Sequence, residues 1–190
     1  MEIAVLGGGH GCYAAAADLS EQGHRVRLWR RDATALAPLR AAQRITLLDH
    51  LGKRDVELAC VTNDIAEAMA GAALLLCPLP APTQIDIARA IAPHLSAGQV
   101  VFMPPGSFGT LVMAKTVAEA DGTADANFAE AGTLPWLARK SGPTGVAISG
   151  RATRLPTGVL PAIRADAAFA VLEQAFPAIE RLRDGLDGAL

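Results

Sequence analysis

The residues best placed to do chemistry come early in the chain. Gly7-Gly8-Gly9-His10-Gly11-Cys12 follows the apolar run Ile3 to Leu6 and precedes a helical pattern from Gly11 to Glu21. Glycine at the first position permits a tight turn, and glycine two residues on lets the backbone approach a pyrophosphate. A small residue at the third position lets helix and strand pack closely. Gly7, Gly9 and Cys12 hold these three positions, with Gly8, His10 and Gly11 between them. Cysteine is small but is not glycine, so a slightly wider helix–strand contact is expected. The spacing points to a dinucleotide phosphate. The plain alternative is a glycine-rich turn with no ligand, and it loses weight because the turn opens a strand–turn–helix unit.

The second informative place is the end of the next strand. A site for NAD usually carries an acid about 20 residues past the glycines, where it accepts hydrogen bonds from the ribose. Here the sequence offers Arg30 and Arg31, and the first acid is Asp32. A guanidinium can grip a 2′-phosphate through two parallel hydrogen bonds. NADP(H) is therefore favoured, with NAD(H) left open; in the alternative, the arginines are solvated and Asp32 turns inward. Two proline-rich loops follow later strands: one carries Leu79 and Pro80, the other Pro105 and Gly106. Loops at the carboxyl ends of parallel strands face the ligand crevice, and stiff backbone there would wall the nicotinamide. Glu130, at the end of a further strand, reads either as a carboxylate for a substrate amino group or as an exposed strand end.

These residues need a frame. The chain has 190 residues, half of them apolar, with 17 Lys and Arg against 19 Asp and Glu. No basic stripe neutralises a nucleic acid, and no apolar run approaches the ~20 residues of a membrane span. Neither a signal segment nor a Cys-X-X-Cys pair is present, so a cytoplasmic location is expected and no metal site is assigned. Short apolar runs alternate with helical periodicity. This predicts an α/β fold of Rossmann type: a doubly wound, mostly parallel sheet with helices on both faces. Strands are expected at residues 3–6, 25–29, 73–77, 99–103, 128–131 and 146–149. A hairpin is expected from 44–48 and 55–61, and 155–161 is read as extended. Asp64 and Glu67 have capping-box spacing. Residues 1–155 are read as the dinucleotide-binding domain. Residues 156–190 are read as an extended segment and two helices, 166–176 and 179–190, forming a C-terminal appendage.

With these residues in view, the chain resembles the N-terminal half of the opine dehydrogenases, the octopine and nopaline dehydrogenase family. The resemblance rests on Val5–Gly11, on Gly23-His24-Arg25-Val26-Arg27-Leu28-Trp29-Arg30, and on the Pro78–Pro82 loop and the Pro105-Gly106 turn. It rests above all on Glu130-Ala131-Gly132-Thr133-Leu134-Pro135-Trp136-Leu137-Ala138-Arg139. It implies NADPH-dependent joining of a 2-oxo acid to the amino group of an amino acid. It also implies Glu130 and Thr133 on the substrate side. Members are about twice this length, and a helical second domain carries their catalytic histidine. No catalytic residue is therefore assigned: His10, His24, His50 and His94 show no relay spacing. Alone the chain is expected to bind cofactor without turnover, with a second domain or another copy covering its terminal helices. A ketopantoate reductase or glycerol-3-phosphate dehydrogenase relative is the first rival, and a non-enzymatic dinucleotide-binding module the second.

Overall fold

The computed structural model describes residues 1–120 and 125–189. In chain order the elements are β1 (Glu2–Leu6), α1 (His10–Glu21), β2 (Arg25–Trp29), α2 (Ala33–Ala42), β3 (Arg44–Asp49), β4 (Gly52–Glu57) and β5 (Cys60–Thr62). Next come α3 (Ile65–Met69), β6 (Leu74–Leu76), α4 (Gln84–Ile91), β7 (Val100–Met103), α5 (Gly109–Glu119), β8 (Asn127–Ala131) and β9 (Trp136–Ser141). The chain closes with β10 (Gly145–Arg151), β11 (Leu155–Leu160), α6 (Ala165–Ala175), β12 (Ile179–Arg181) and α7 (Gly185–Ala189).

Eight strands form the main sheet in the order β12-β11-β8-β7-β6-β1-β2-β5. From β5 to β8 every pair is parallel. Buried on both faces, these strands read as unbroken apolar runs, and their side chains divide by the two-residue period of a strand. Ile3, Val5, Leu74, Leu76, Val100 and Phe102 enter one core; Ala4, Leu6, Leu75, Val101 and Met103 enter the other. Helices α1 and α6 contribute to the first core, α3, α4 and α5 to the second. The order reverses between β1 and β6, and ligands of open α/β sheets bind in the crevice above that point. The doubly wound reading of the sequence holds.

A second sheet, β4-β3-β10-β9, lies over α1. This explains a helix with no polar face: Cys12 to Leu19 are all buried, including Asp18. A helix apolar on all sides must be covered on all sides. The main sheet covers one face and the small sheet the other. Polar clamps fix the pair: the Trp136 indole donates to Asp18 Oδ2 at 2.8 Å, the Tyr13 hydroxyl to the Pro143 carbonyl at 2.8 Å, and Arg151 Nε to Asp18 Oδ1 at 2.8 Å. Arg54 bridges Glu21 and Asp49, whose side chain is shielded from water. The Arg54 guanidinium, together with Arg151, holds the Asp49 carboxyl well below its usual range.

Several expectations need correction. Residues 55–61 do not form one strand: β4 ends at Glu57, and the chain crosses to the main sheet as β5, with Ala59 N–H on Val26. The strand β9 was not foreseen. Residues 179–190 are not a helix but β12, a turn and the short α7. Nor does the sheet stop at residue 155: β11 pairs antiparallel with β8, so the C-terminal segment finishes the sheet rather than hanging from it. Only half of the capping box forms: Asp64 Oδ1 accepts the Ala66 and Glu67 N–H groups. The Asp64 N–H goes to the Thr62 hydroxyl instead. Among the described residues no helix is long and apolar enough to cross a membrane, and no His, Cys, Asp and Glu cluster could hold a metal.

Candidate functional site: a glycine loop beneath an arginine-lined cleft

The loop between β1 and α1 is shaped by what its glycines exclude. Gly7 has φ +128°, which L side chains rarely adopt, and a Cβ there would meet Leu79 Cδ2 at 2.6 Å and Cys12 Sγ at 2.8 Å. Cys12 in the third position is thus accommodated against a bare Cα. Its Sγ approaches the Leu6 carbonyl at 3.6 Å, and burial pushes its pKa up to about 11, so it stays a neutral thiol. Close approach between helix and sheet passes instead to Gly11, where a Cβ would stand 3.0 Å from Pro78. Gly9 differs: a Cβ there would meet nothing within 4 Å. It is the N-cap of α1, no side chain caps it, and no acid lies in the first turn. Such a helix start presents free N–H groups and positive dipole to an anion. The open Cα of Gly9 and this uncapped helix end fit a pyrophosphate.

Beside the loop a cleft of about 250 Å³ is lined by Gly7, Trp29, Arg30, Arg31, Leu79 and Ile87, with Asp32, Thr83 and Asp86. Arg30 lies across Gly8: a Cβ on Gly8 would be 2.5 Å from Arg30 Cδ. Arg31 is exposed and stands 3.7 Å from Asp86. Asp32 also lines the cleft, with its Oδ1 accepting the Ala35 N–H at 2.9 Å and capping α2. The cleft therefore brings together the first glycine, both arginines and Leu79, four of the residues named from sequence. Pro80 is exposed on the rim. Its carbonyl accepts the Thr83 N–H and hydroxyl.

The remaining expected residues separate from this cleft. Glu130 is not at an exposed strand end but is fully buried. Its carboxylate accepts the Gly109 N–H at 3.0 Å and the Thr110 hydroxyl at 2.6 Å, which anchors the start of α5. Gly106 makes this possible, since a Cβ on it would fall 1.9 Å from Glu130 Oε2, and its carbonyl accepts Gln84 Nε2 at 2.6 Å. Pro105 lies half-buried beside it. Thr133 is exposed on the β8–β9 turn, lining a different cleft with Leu137 and Arg154.

Sequence reasoning missed Lys140. Its ammonium donates to the Gly8 carbonyl at 3.2 Å and sits 3.6 Å above the centre of the Tyr13 ring. Its N–H donates to His10 Nδ1 at 2.9 Å. The sequence carried no clear signal for it: Trp136-Leu137-Ala138 followed by Arg139-Lys140-Ser141 does not alternate apolar and polar, and the alternation of exposed and shielded residues along β9 arises only in the folded chain. Asp86 and Ile87 were also missed, for they reach the cleft from α4.

A parallel sheet with its switch point over an uncapped, glycine-lined helix start defines an NAD(P)-binding domain of the oxidoreductase type. The comparisons agree. Residues 2–105 match the family model described as NAD-dependent glycerol-3-phosphate dehydrogenase N-terminus, and the chain belongs to that family. The similarity to opine dehydrogenases also holds. The chain is 26% identical over 174 residues to an opine dehydrogenase of Arthrobacter sp. (strain 1C), covering 92% of this chain and 48% of that protein. It is 35% identical over 107 residues to a glycerol-3-phosphate dehydrogenase [NAD(P)+] of Nitratidesulfovibrio vulgaris (strain DP4), covering 53% of this chain and 30% of that one. An octopine dehydrogenase solved with NADH and agmatine superposes with a TM-score of 0.77 at 19% identity, covering 96% of this chain and 48% of that chain. The chain spans half or less of the length of the curated relatives it matches.

Proposed function

We propose that this chain is the NADP(H)-binding half of an opine-type dehydrogenase, an enzyme joining a 2-oxo acid to the amino group of an amino acid. The observation that carries the cofactor choice is the end of β2. Arg30 and Arg31 line the cleft there, and the nearest acid in sequence, Asp32, follows both of them and spends one carboxylate oxygen on capping α2. An acid free to take ribose hydroxyls is what NAD would call for; two guanidinium groups suit a 2′-phosphate. Gly9 and the first turn of α1 would hold the pyrophosphate, and Gly7, Leu79 and Ile87 would wall the cleft. When bound, the nicotinamide supplies the hydride. His24, His50 and His94 do not line the cleft. A proton donor within hydrogen-bond reach of the reacting atom is required for such chemistry, so residues 1–190 by themselves are expected to bind cofactor without turning over.

The test is a titration of the purified chain with NADPH and with NADH, following nicotinamide fluorescence, for wild type and Arg30→Asp. The proposal requires tighter NADPH binding in wild type and a reversed preference in the variant. Tighter NADH binding by wild type would overturn it. A second reading, glycerol-3-phosphate dehydrogenase, is favoured by the 35% identity over 107 residues. Ligand-observed NMR on the NADPH-loaded chain separates the two: amino acids and 2-oxo acids should contact it in the first reading, glycerol 3-phosphate in the second.

A further inference from the structure

Two cations flank one peptide of the glycine loop. Arg30 crosses Gly8 from the end of β2, and Lys140 reaches the Gly8 carbonyl from β9 of the small sheet. Among the described residues Arg30 bonds the Ala35 carbonyl at 3.3 Å and the Tyr13 side chain, Lys140 bonds the Gly8 carbonyl, and neither pairs with a carboxylate. Like charges brought together without a counterion repel, and here one of them is also drawn out of water. Lys140 loses proton affinity first through desolvation and then through the charge of Arg30. Its ammonium is held in place nonetheless, by the Tyr13 ring, by Gly8, and by a backbone bond from Lys140 to His10. A group with two negative charges between them would relieve the repulsion. The pair stands where the first glycines meet the end of β2, the place that reads the ribose in this fold.

On the reading of the cleft as a dinucleotide site, we propose that Lys140 is a specificity residue, joining Arg30 in binding the 2′-phosphate of NADP(H). The small sheet then does more than cover α1. It delivers half of a phosphate clamp, and its docking through Trp136, Tyr13 and Arg151 sets where that half stands. A phosphomonoester carries close to two charges at neutral pH and suits two cations, whereas each phosphate of the pyrophosphate carries one. Arg31, exposed and facing Asp86, is left a lesser part.

The experiment measures NADPH and NADH dissociation constants by fluorescence for wild type, Lys140→Met and Lys140→Arg. Calorimetry with adenosine 2′,5′-bisphosphate as probe accompanies it, and thermal unfolding checks the fold. Losing a charge-assisted contact should weaken NADPH and the bisphosphate at least about tenfold in Lys140→Met. NADH should stay within about twofold, and Lys140→Arg should recover most of the loss. Equal losses for NADPH and NADH would overturn the assignment, because the ammonium would then serve the pyrophosphate or the shape of the loop. No loss for either would also overturn it, leaving Lys140 a docking residue. A wild-type chain that binds neither cofactor would instead defeat the dinucleotide reading from which the proposal starts. If Lys140→Met does not fold, Lys140→Gln takes its place.

Discussion

The glycine loop and the junction of β8, α5 and α7 are built from the same residue types to opposite ends. At the loop, Gly9 faces open space and two cations have no acidic partner among the described residues. At the junction three glycines are filled by the chain itself. A Cβ on Gly106 would meet Glu130, one on Gly158 would fall 2.0 Å from the Asp184 carbonyl, and one on Gly188 would sit 2.6 Å from Gly158 N. The charge there, Glu130, is satisfied by Gly109 and Thr110. Glycine thus leaves open space in one place and admits backbone packing in the other. The charges near the loop remain available to a ligand, whereas Glu130 is an internal anchor.

The strongest test of this contrast is Glu130→Ala. It leaves a buried N–H and a buried hydroxyl without an acceptor and opens a small cavity, so a loss of about 3 kcal/mol is expected by urea unfolding. Should stability hold while substrate affinity falls, the carboxylate would belong to the site after all. Nearly as large, but in binding rather than stability, is Gly9→Val. Its side chain would occupy the pyrophosphate position, weakening NADPH at least about a hundredfold, or about 2.8 kcal/mol. Because the position is open, stability should fall by about 1 kcal/mol or less, the cost of a poorer N-cap. Unchanged affinity would reduce the loop to a turn.

A smaller effect concerns the clamp at the other end of α1. The Asp49 carboxyl is held below its usual range, so it stabilises the fold above the unfolded-state value near 3.9 and loses that contribution as pH falls through its lowered folded-state value. Asp49→Asn should therefore cost about 1.5 kcal/mol at pH 6. The gap between wild type and variant should narrow only below about pH 4 in acid unfolding curves. A gap that is constant into strong acid would show that the ion pairs contribute nothing there. The smallest expected effect is Arg31→Ala. This exposed arginine faces Asp86 across 3.7 Å, and NADPH binding should weaken by about 1 kcal/mol or less, with a shallower salt dependence. A loss larger than that of Lys140→Met would move the 2′-phosphate from Gly8 to the outer rim.

What the sequence determined was local. Strand–turn–helix order, the three spaced positions Gly7, Gly9 and Cys12, and two arginines after β2 depend on chain neighbours and on the periods of helix and strand. The elements β1, α1, β2 and β3 were legible for the same reason, and the hairpin to β4 with them, apart from the division of residues 55–61 between β4 and β5. Partnership across the chain was decided by the tertiary structure alone. Glu130 reads as a strand-end carboxylate until α5 is brought against it, and Lys140 carries no assignment until β9 folds over α1 and brings it to Gly8, 132 residues away in sequence. Residues 179–181 have too little length to announce a strand, and they became β12 because β11 offered an unpaired edge. Periodicity records which face a residue shows, but burial and charge pairing depend on what the rest of the chain places against that face.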